Sequence, residues 1–580
     1  MSGVGEWQTL NSSTLRRVGL GGAFVLVALW AILLVDYFSR SLFDRLWILG
    51  SMLYWLMPVL LSVAAFAFLW GRPKQVAQAI WRLWPGILLA ALLVIACFKF
   101  IVPHMRVQFD ETCLVSTSQT MHDRRLDFRT MDKFTKGAGP QALNWEIDKR
   151  PPLFPFLISA IHDLRGYFVE NAFLANQGIL FLFLVFIYAW ILSSYGPLAG
   201  LAAQLLVLGP PMVLWSAASA GMDLLSCLFF AAVICSAIAL ARHPSMIRIA
   251  RFLTLGLLFS YCRYENFGFF FLALTSALFI SRTHPAWKSD LLSRMLICLL
   301  GLTALLLTPL ALLFAHTFWH GDNFEVAKGA PLFSLGYAWN HLTAFLMYFP
   351  DARVDRPFGA AGLFLFAVLW AAFRSLKERR GTLETIFLGG ATTVSFMLTI
   401  VFYAGDVEDR SQLRLFLPIT MLAALGPVFV WARLPARVPM AVLIVAAGIF
   451  LGVQVPRVQG SPFGPDEFRN PVMRGIDGLL PRLGTDKAHI LIVSDYAQYL
   501  IINGFNSIAP ITFLQRQPTI EGLKRAGTTS DIFLLYTNDE RGLFVDSAEQ
   551  FNRILHDFSW ELLAATRDQK PLRLYHLKKL

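Results

Sequence analysis

The sequence predicts an α-helical polytopic membrane protein of about thirteen transmembrane helices, followed by a small α/β domain. Three observations carry this expectation. The 580 residues are 56% hydrophobic and only 15% charged, and the mean hydropathy of +0.56 is far above that of a soluble domain. Apolar runs long enough to cross a ~30 Å hydrocarbon core at ~1.5 Å per residue recur from residue 18 to residue 456. Short loops rich in Lys and Arg alternate with them.

Arg16-Arg17 precedes the first apolar run, which has no small-residue cleavage site, so an uncleaved first helix is expected. The spans fall near 18–38, 46–70, 84–103, 168–193, 197–217, 223–241, 252–264, 266–280, 295–316, 357–373, 384–403, 413–431 and 438–456. The seventh and eighth are short. Arg263-Tyr264-Glu265-Asn266 divides them, because an ionic cluster in the middle of one continuous span is costly. With the N-terminus in the cytoplasm, the inside loops carry Arg72, Lys74 and Arg82, then Arg242, Arg248 and Arg251, then Arg282, Lys288 and Arg294. Arg374, Lys377, Arg379 and Arg380 follow, with Arg433 and Arg437 last. The formal charge of +12 is therefore read as membrane orientation rather than nucleic-acid binding.

That phase was set by basic loops on one side. It sends the acidic pair Asp110-Glu111, Lys149-Arg150, Asp223, Arg263-Tyr264-Glu265 and the stretch Asp406-Val407-Glu408-Asp409-Arg410 to the other, extracytoplasmic face. Polar groups from five distant positions reach one face, as a shared site requires. Two outer loops are long. In residues 104–167, Leu114–His122 and Pro152–Leu164 are expected as helices on the membrane surface. Residues 317–356 are rich in aromatics, either an interfacial belt or a groove and lid for a lipid tail.

Residues 1–457 thus form the membrane domain and 458–580 the α/β domain, joined through Gly460-Ser461-Pro462-Phe463-Gly464-Pro465. Strand-like runs at His489–Ser494, Ile532–Tyr536 and Leu572–Leu577 alternate with helical patterns near 497–504 and 547–557. The odd span count places this domain outside.

Several chemistries lack their motifs. There is no GxxxxGK[ST] phosphate loop and no HExxH zinc site. Five of the six cysteines lie in or beside apolar spans, and Cys113 sits in the first outer loop, so no disulfide framework is indicated. His104, His122 and His162 share that loop, but solvated loop histidines need no metal; no cofactor is indicated, and a divalent metal stays open without a motif that calls for it. Asp110 and Glu111 are contiguous, and consecutive side chains do not share one helix face. One carboxylate therefore does the chemistry and the other supports it.

The order of these pieces resembles the GT-C class of polyprenyl-phosphate-sugar glycosyltransferases, in the branch of protein O-mannosyltransferases and the lipid A aminoarabinose transferase. The matching pieces are Phe109-Asp110-Glu111, Lys149-Arg150-Pro151-Pro152-Leu153, Gly221-Met222-Asp223, Arg263-Tyr264-Glu265 and Arg414-Leu415-Phe416-Leu417-Pro418. The resemblance covers roughly residues 80–457. Two departures stand out. Two spans precede the acidic pair where many members have one, and the usual lysine-proline-proline is Lys149-Arg150-Pro151-Pro152 here.

The resemblance implies an inverting transferase that moves a sugar from a polyprenyl-phosphate carrier to an extracytoplasmic acceptor, whether lipid, polysaccharide or protein. Elementary chemistry assigns roles. Negative charge develops on the departing phosphate, and fixed cations at a partly dry site stabilise it; Lys149, Arg150, Arg263 and Arg414 are the candidates. Asp110 is the expected general base, its pKa raised by burial, and Glu111 its companion. A phosphate acceptor would need no base, and Asp110 would then orient it. Asp223, Tyr264, Glu265 and Asp409 would hold the acceptor, the sugar hydroxyls or the cations. The implied setting is a bacterial inner membrane, with the C-terminal domain in the periplasm. The alternatives are a transporter or flippase, or a non-catalytic binder of lipid-linked sugars; the crowding of charge at one face and the lack of an internal repeat argue against transport.

Overall fold

The computed structural model describes residues 35–69, 73–106, 108–136, 139–282, 290–319, 333–348, 382–402, 413–431, 471–483, 489–525, 531–537, 545–566 and 572–579, with a few isolated positions between them. The span expected near 357–373 lies outside these residues and those near 18–38 and 438–456 lie mostly outside; the 458–465 linker and Asp406–Arg410, with Asp409, lie outside as well.

The membrane portion begins with helices α1 (Leu42–Leu69) and α2 (Pro73–Phe100). Phe66, Trp81, Leu92 and Ile95 are more than half exposed, as side chains turned to lipid are. Helix α3 (Gln108–Arg124), a hairpin of β1 (Arg129–Lys136) and β2 (Gly139–Glu146), and α4 (Leu153–Arg165) make up the first long loop. Then follow α5 (Glu170–Tyr195), α6 (Pro197–Leu208), α7 (Pro211–Ala217), α8 (Asp223–Arg242), α9 (Met246–Ser260), α10 (Asn266–Ser281) and α11 (Asp290–Trp319). Helices α12 (Leu335–Tyr348) and α13 (Thr382–Val401) precede a 3-10 turn at Leu413–Phe416, α14 (Leu417–Ala424) and α15 (Gly426–Trp431).

Among the described residues, five helices are long and apolar enough to cross a membrane: α1, α2, α5, α8 and α11. The α6–α7 pair makes a sixth if it is one broken span; it bends by 79° at Gly209-Pro210, where proline cannot continue the helical ladder. Helices α9 and α10 are separate, with Tyr261–Glu265 forming the turn between them. They touch closely because position 256 is glycine: a Cβ there would sit 2.0 Å from the Phe270 ring.

The C-terminal segment comprises α16 (Pro471–Leu479), β3 (Ile490–Val493), α17 (Ala497–Ile502), β4 (Asn506–Ile508), α18 (Pro510–Gln515), α19 (Gln517–Arg525), β5 (Asp531–Thr537), α20 (Val545–Asp557), β6 (Ser559–Ala565) and β7 (Leu572–Lys579). Both faces of its sheet are covered. Leu491, Val493, Ile532 and Leu534 pack into one core, while their neighbours Ile490, Ile492, Phe533 and Leu535 pack into the other, the period-2 alternation of a strand.

This sheet does not stop at the sequence boundary near 457. Its order is β2-β1-β4-β3-β5-β7-β6, so the hairpin from the first outer loop forms one edge. Strand β1 runs antiparallel to β4 through Lys133 and Ser507. Asp132 secures the seam by accepting from the Ala509 amide at 2.7 Å and the Thr512 hydroxyl at 2.9 Å.

The expectation of two helices lying on the membrane surface needs correction at α3. Residues 111–118 are all buried, because the helix is wedged between the bundle and the C-terminal sheet. Its small hydroxyl side chains make this tolerable by bonding inward: Ser116 Oγ accepts from the Thr130 amide at 2.9 Å, and Thr117 donates to Asp148 at 3.3 Å. On α4, Leu153–Phe156 are buried while Leu164 is 85% exposed, so this helix does present an apolar outer edge.

Candidate functional site

The acidic pair opens α3, where carboxylates are favoured by the helix dipole. Successive helix positions point ~100° apart, and the two side chains go to different partners. Glu111 is 1% exposed, and its Oε2 accepts from the backbone amides of Arg106 and Ala220, both at 3.0 Å. It fastens α3 to the turn before α8. Asn176 on α5 holds the same turn, donating to the carbonyls of Ser219 at 2.6 Å and Gly221 at 2.8 Å.

Asp110 instead bridges two guanidiniums. Its Oδ1 accepts from Arg150, 40 positions away in the chain, and its Oδ2 from Arg414, 304 positions away. Arg150 is in turn held by Asp148, through Nη1 at 2.8 Å and its own amide at 3.2 Å. Burial opposes ionisation of Asp110, but the Arg150 and Arg414 charges beside it keep its carboxyl well below the usual carboxylate range. This corrects the expectation that burial raises it toward neutrality: the two ion pairs outweigh desolvation. Lys149 is half-buried, and burial together with the adjacent Arg150 lowers the pKa of its ammonium.

A second ionic triad lies alongside. Arg263, in the turn between α9 and α10, donates to Asp223 at the start of α8 and to Glu265. Arg414 lies within electrostatic reach of Asp223 and Arg263, so the two triads form one cluster.

Four members of this cluster line a cavity of about 350 Å³. Asp223, Arg263, Glu265 and Arg414 supply its charged end; Phe230, Phe269, Phe314, Leu398 and Phe402 are among its apolar walls. Tyr264 also lines it. Asp110 is not among the lining residues but bonds to Arg414, which is. The chamber suits a ligand with an anionic head and a hydrocarbon body.

The structure therefore brings together nine of the residues singled out in the sequence: Asp110, Glu111, Lys149, Arg150, Asp223, Arg263, Tyr264, Glu265 and Arg414. Asp409 lies outside the described residues. Sequence reasoning missed Arg106 and Asp148. Arg106 is buried near Glu111, Asp223 and Arg414, and burial lowers its pKa. Asp148 is fully buried against Arg150. Their signal was proximity, since each sits within four residues of a residue that was identified.

The loop histidines have structural partners. His162 receives a hydrogen bond from Asn171 Nδ2 at its Nδ1 (2.8 Å), which leaves Nε2–H to face Ser118 Oγ at 3.1 Å. His122 pairs with Asp163 at 2.6 Å. Among the described residues, no group of three or more His, Cys, Asp or Glu is placed to hold a metal ion.

No protein-family profile matches the chain, and no curated protein does either. Solved structures do share its fold. ArnT from Cupriavidus metallidurans in the apo state superposes with a TM-score of 0.53 at 14% identity, covering 84% of this chain and 97% of that one. ArnT from the same organism bound to undecaprenyl phosphate gives a TM-score of 0.54 at 13% identity, over the same shares of each chain. The chain thus shares the fold of these ArnT structures over 84% of its length.

Proposed function

We propose that this protein is a membrane glycosyltransferase. It moves a sugar from a polyprenyl-phosphate donor to an extracytoplasmic acceptor, with inversion at the anomeric carbon. The observation that carries the reading is the amphipathic cavity: an apolar chamber whose charged end is built by Asp223, Arg263, Glu265 and Arg414, with Arg414 shared with Asp110. A solved structure of the same fold has undecaprenyl phosphate bound.

In the proposed reaction the bond between the anomeric carbon and the phosphate oxygen breaks, and the acceptor oxygen bonds to that carbon from the opposite face. The departing polyprenyl phosphate keeps the electron pair. Arg263, Arg414, Arg150 and Lys149 stabilise it, since fixed cations at a site shielded from water need no reorganisation as charge develops. Arg414 is free to exchange one anion for another: a donor phosphate takes guanidinium hydrogen bonds that Asp110 now accepts. Asp110, loosened in that exchange, then orients the acceptor and takes the proton of an acceptor hydroxyl. Glu111 acts at a distance by fixing the register of α3, and Asp223 and Glu265 hold Arg263 and the sugar. The site faces the periplasm of a bacterial inner membrane, with the N-terminus cytoplasmic and the C-terminal sheet outside.

The test is transfer. The protein in lipid is incubated with radiolabelled polyprenyl-phosphate sugars and a membrane extract, beside Asp110→Asn. Label moving to a new product with the wild type alone supports the reading. Donor that binds but is never turned over points instead to a carrier or binding protein.

A further inference from the structure

Hydroxyl side chains on membrane helices ordinarily satisfy themselves by bonding back to the carbonyl four residues earlier. On α13, Thr392 donates to Leu388 at 2.7 Å, Thr393 to Gly389 at 2.9 Å and Thr399 to Ser395 at 2.8 Å. Ser395 breaks the pattern. It is 4% exposed, its Oγ is buried, and the hydroxyl has no hydrogen-bond partner among the described residues. A hydroxyl left unsatisfied in an apolar interior is costly, so a position that keeps one has use for it.

Ser395 lines the same cavity as Arg414 and Glu265. Each of these also presents a buried polar atom without a hydrogen-bond partner among the described residues, Arg414 through Nε and Glu265 through Oε2. Three different elements thus hold buried, unmatched polar atoms in residues that line one mostly apolar chamber: α13, the Leu413–Phe416 turn and the turn before α10. Their chemistry is complementary to a glycosyl phosphate. Arg414 Nε–H and the Ser395 hydroxyl donate, as a phosphate oxygen requires. Glu265 Oε2 accepts, which suits a sugar hydroxyl and disfavours a bare anion at that point.

We propose that Ser395 is a donor-binding residue, its hydroxyl giving a hydrogen bond to a phosphate oxygen of the lipid-linked sugar beside Arg414. This inference rests on the glycosyltransferase reading above and names the group that recognises the donor from the membrane side. A hydrogen bond to a charged partner is among the stronger ones, so its loss lowers affinity roughly tenfold.

The experiment measures binding of undecaprenyl phosphate and of undecaprenol to the full chain in nanodiscs, for wild type, Ser395→Ala, Ser395→Cys and Thr393→Val. Thr393→Val serves as control, because that hydroxyl is exposed and spent on its own helix. The expected result is a roughly tenfold weaker affinity of Ser395→Ala for the phosphate, a smaller loss for Ser395→Cys, and no change for the control. Undecaprenol binding should be the same in all four. Equal phosphate affinity in wild type and both Ser395 variants overturns the assignment, as does an equal loss for undecaprenol, which would mean a packing defect. Should Ser395→Ala not fold, the thiol variant, which keeps the size with a weaker donor, decides alone. Failure of the wild type itself to prefer the phosphate over the alcohol would strike the donor reading instead, so the two failures are told apart.

Discussion

At the scale of single residues, the site is organised by carboxylates that set cations in place. Asp110 holds Arg150 and Arg414, and its charge persists because those partners outweigh burial. Asp110→Asn keeps the shape but removes the charge that aligns both guanidiniums. Turnover should fall by about 10²–10⁴-fold with expression unchanged, as a single-turnover assay in lipid would show. Glu111 is a different kind of residue, since it touches two backbone amides and stands away from the cavity lining. Glu111→Ala leaves both donors buried and unmatched, costing about 2–4 kcal/mol and visible as a lower melting temperature. His162 supplies a pH dependence. Burial pushes its imidazole down to about 4, against an ordinary value near 6.5. Between those values the unfolded chain binds a proton that the folded one refuses. Stability is therefore full above about pH 6.5 and is lost as pH falls toward 4. Melting curves across that range should show the loss, and His162→Gln should flatten it.

At the scale of elements, helix contacts depend on a few glycines. Gly256→Ala places a methyl group within 2.0 Å of the Phe270 ring, and both flanking helices are constrained by the ion pairs at their shared turn. The change should cost about 2–4 kcal/mol and reduce donor affinity by shifting Arg263; melting and lipid-binding measurements would register both. Long apolar elements were the most legible part of the sequence, because hydrocarbon thickness and the 3.6-residue period leave little choice. The break at Arg263–Glu265 was legible for the same reason: an ionic cluster interrupts an apolar run. The hairpin β1–β2 and the short strand β4 were not. Residues 129–146 mix charge, glycine and aromatics without clean alternation, and become strands only because a partner edge waits at residues 506–508. Helix α3 was found, but its burial was not, since Gln108–Arg124 reads as polar and only tertiary contacts show those hydroxyls satisfied. The charged residues of the site were legible as types and places. Which carboxylate pairs with which arginine was not, because the pairing of Asp110 with Arg414 spans 304 positions.

At the scale of the whole molecule, the C-terminal sheet is tied to the helix that carries the acidic pair. Gln498 on α17 accepts from Cys113 at 3.1 Å, Tyr167 donates to the Ile502 carbonyl at 2.9 Å, and Asp132 joins the hairpin to Ala509 and Thr512. Asp132→Ala should loosen this seam, raising amide exchange at residues 506–512 by about tenfold and lowering kcat more than donor affinity. Equal exchange in the variant and the wild type would mean that the seam is held elsewhere. The central claim is that the cavity and its ionic cap turn over a lipid-linked sugar. The most direct measurement is release of free polyprenyl phosphate from a polyprenyl-phosphate sugar, followed by mass spectrometry in proteoliposomes containing wild type or Arg414→Gln, with acceptor extract present. The account predicts stoichiometric release by the wild type, dependent on the extract, and a loss of at least ~10²-fold in the variant. Release at the same rate by both proteins, or by neither while the donor remains bound, would contradict it.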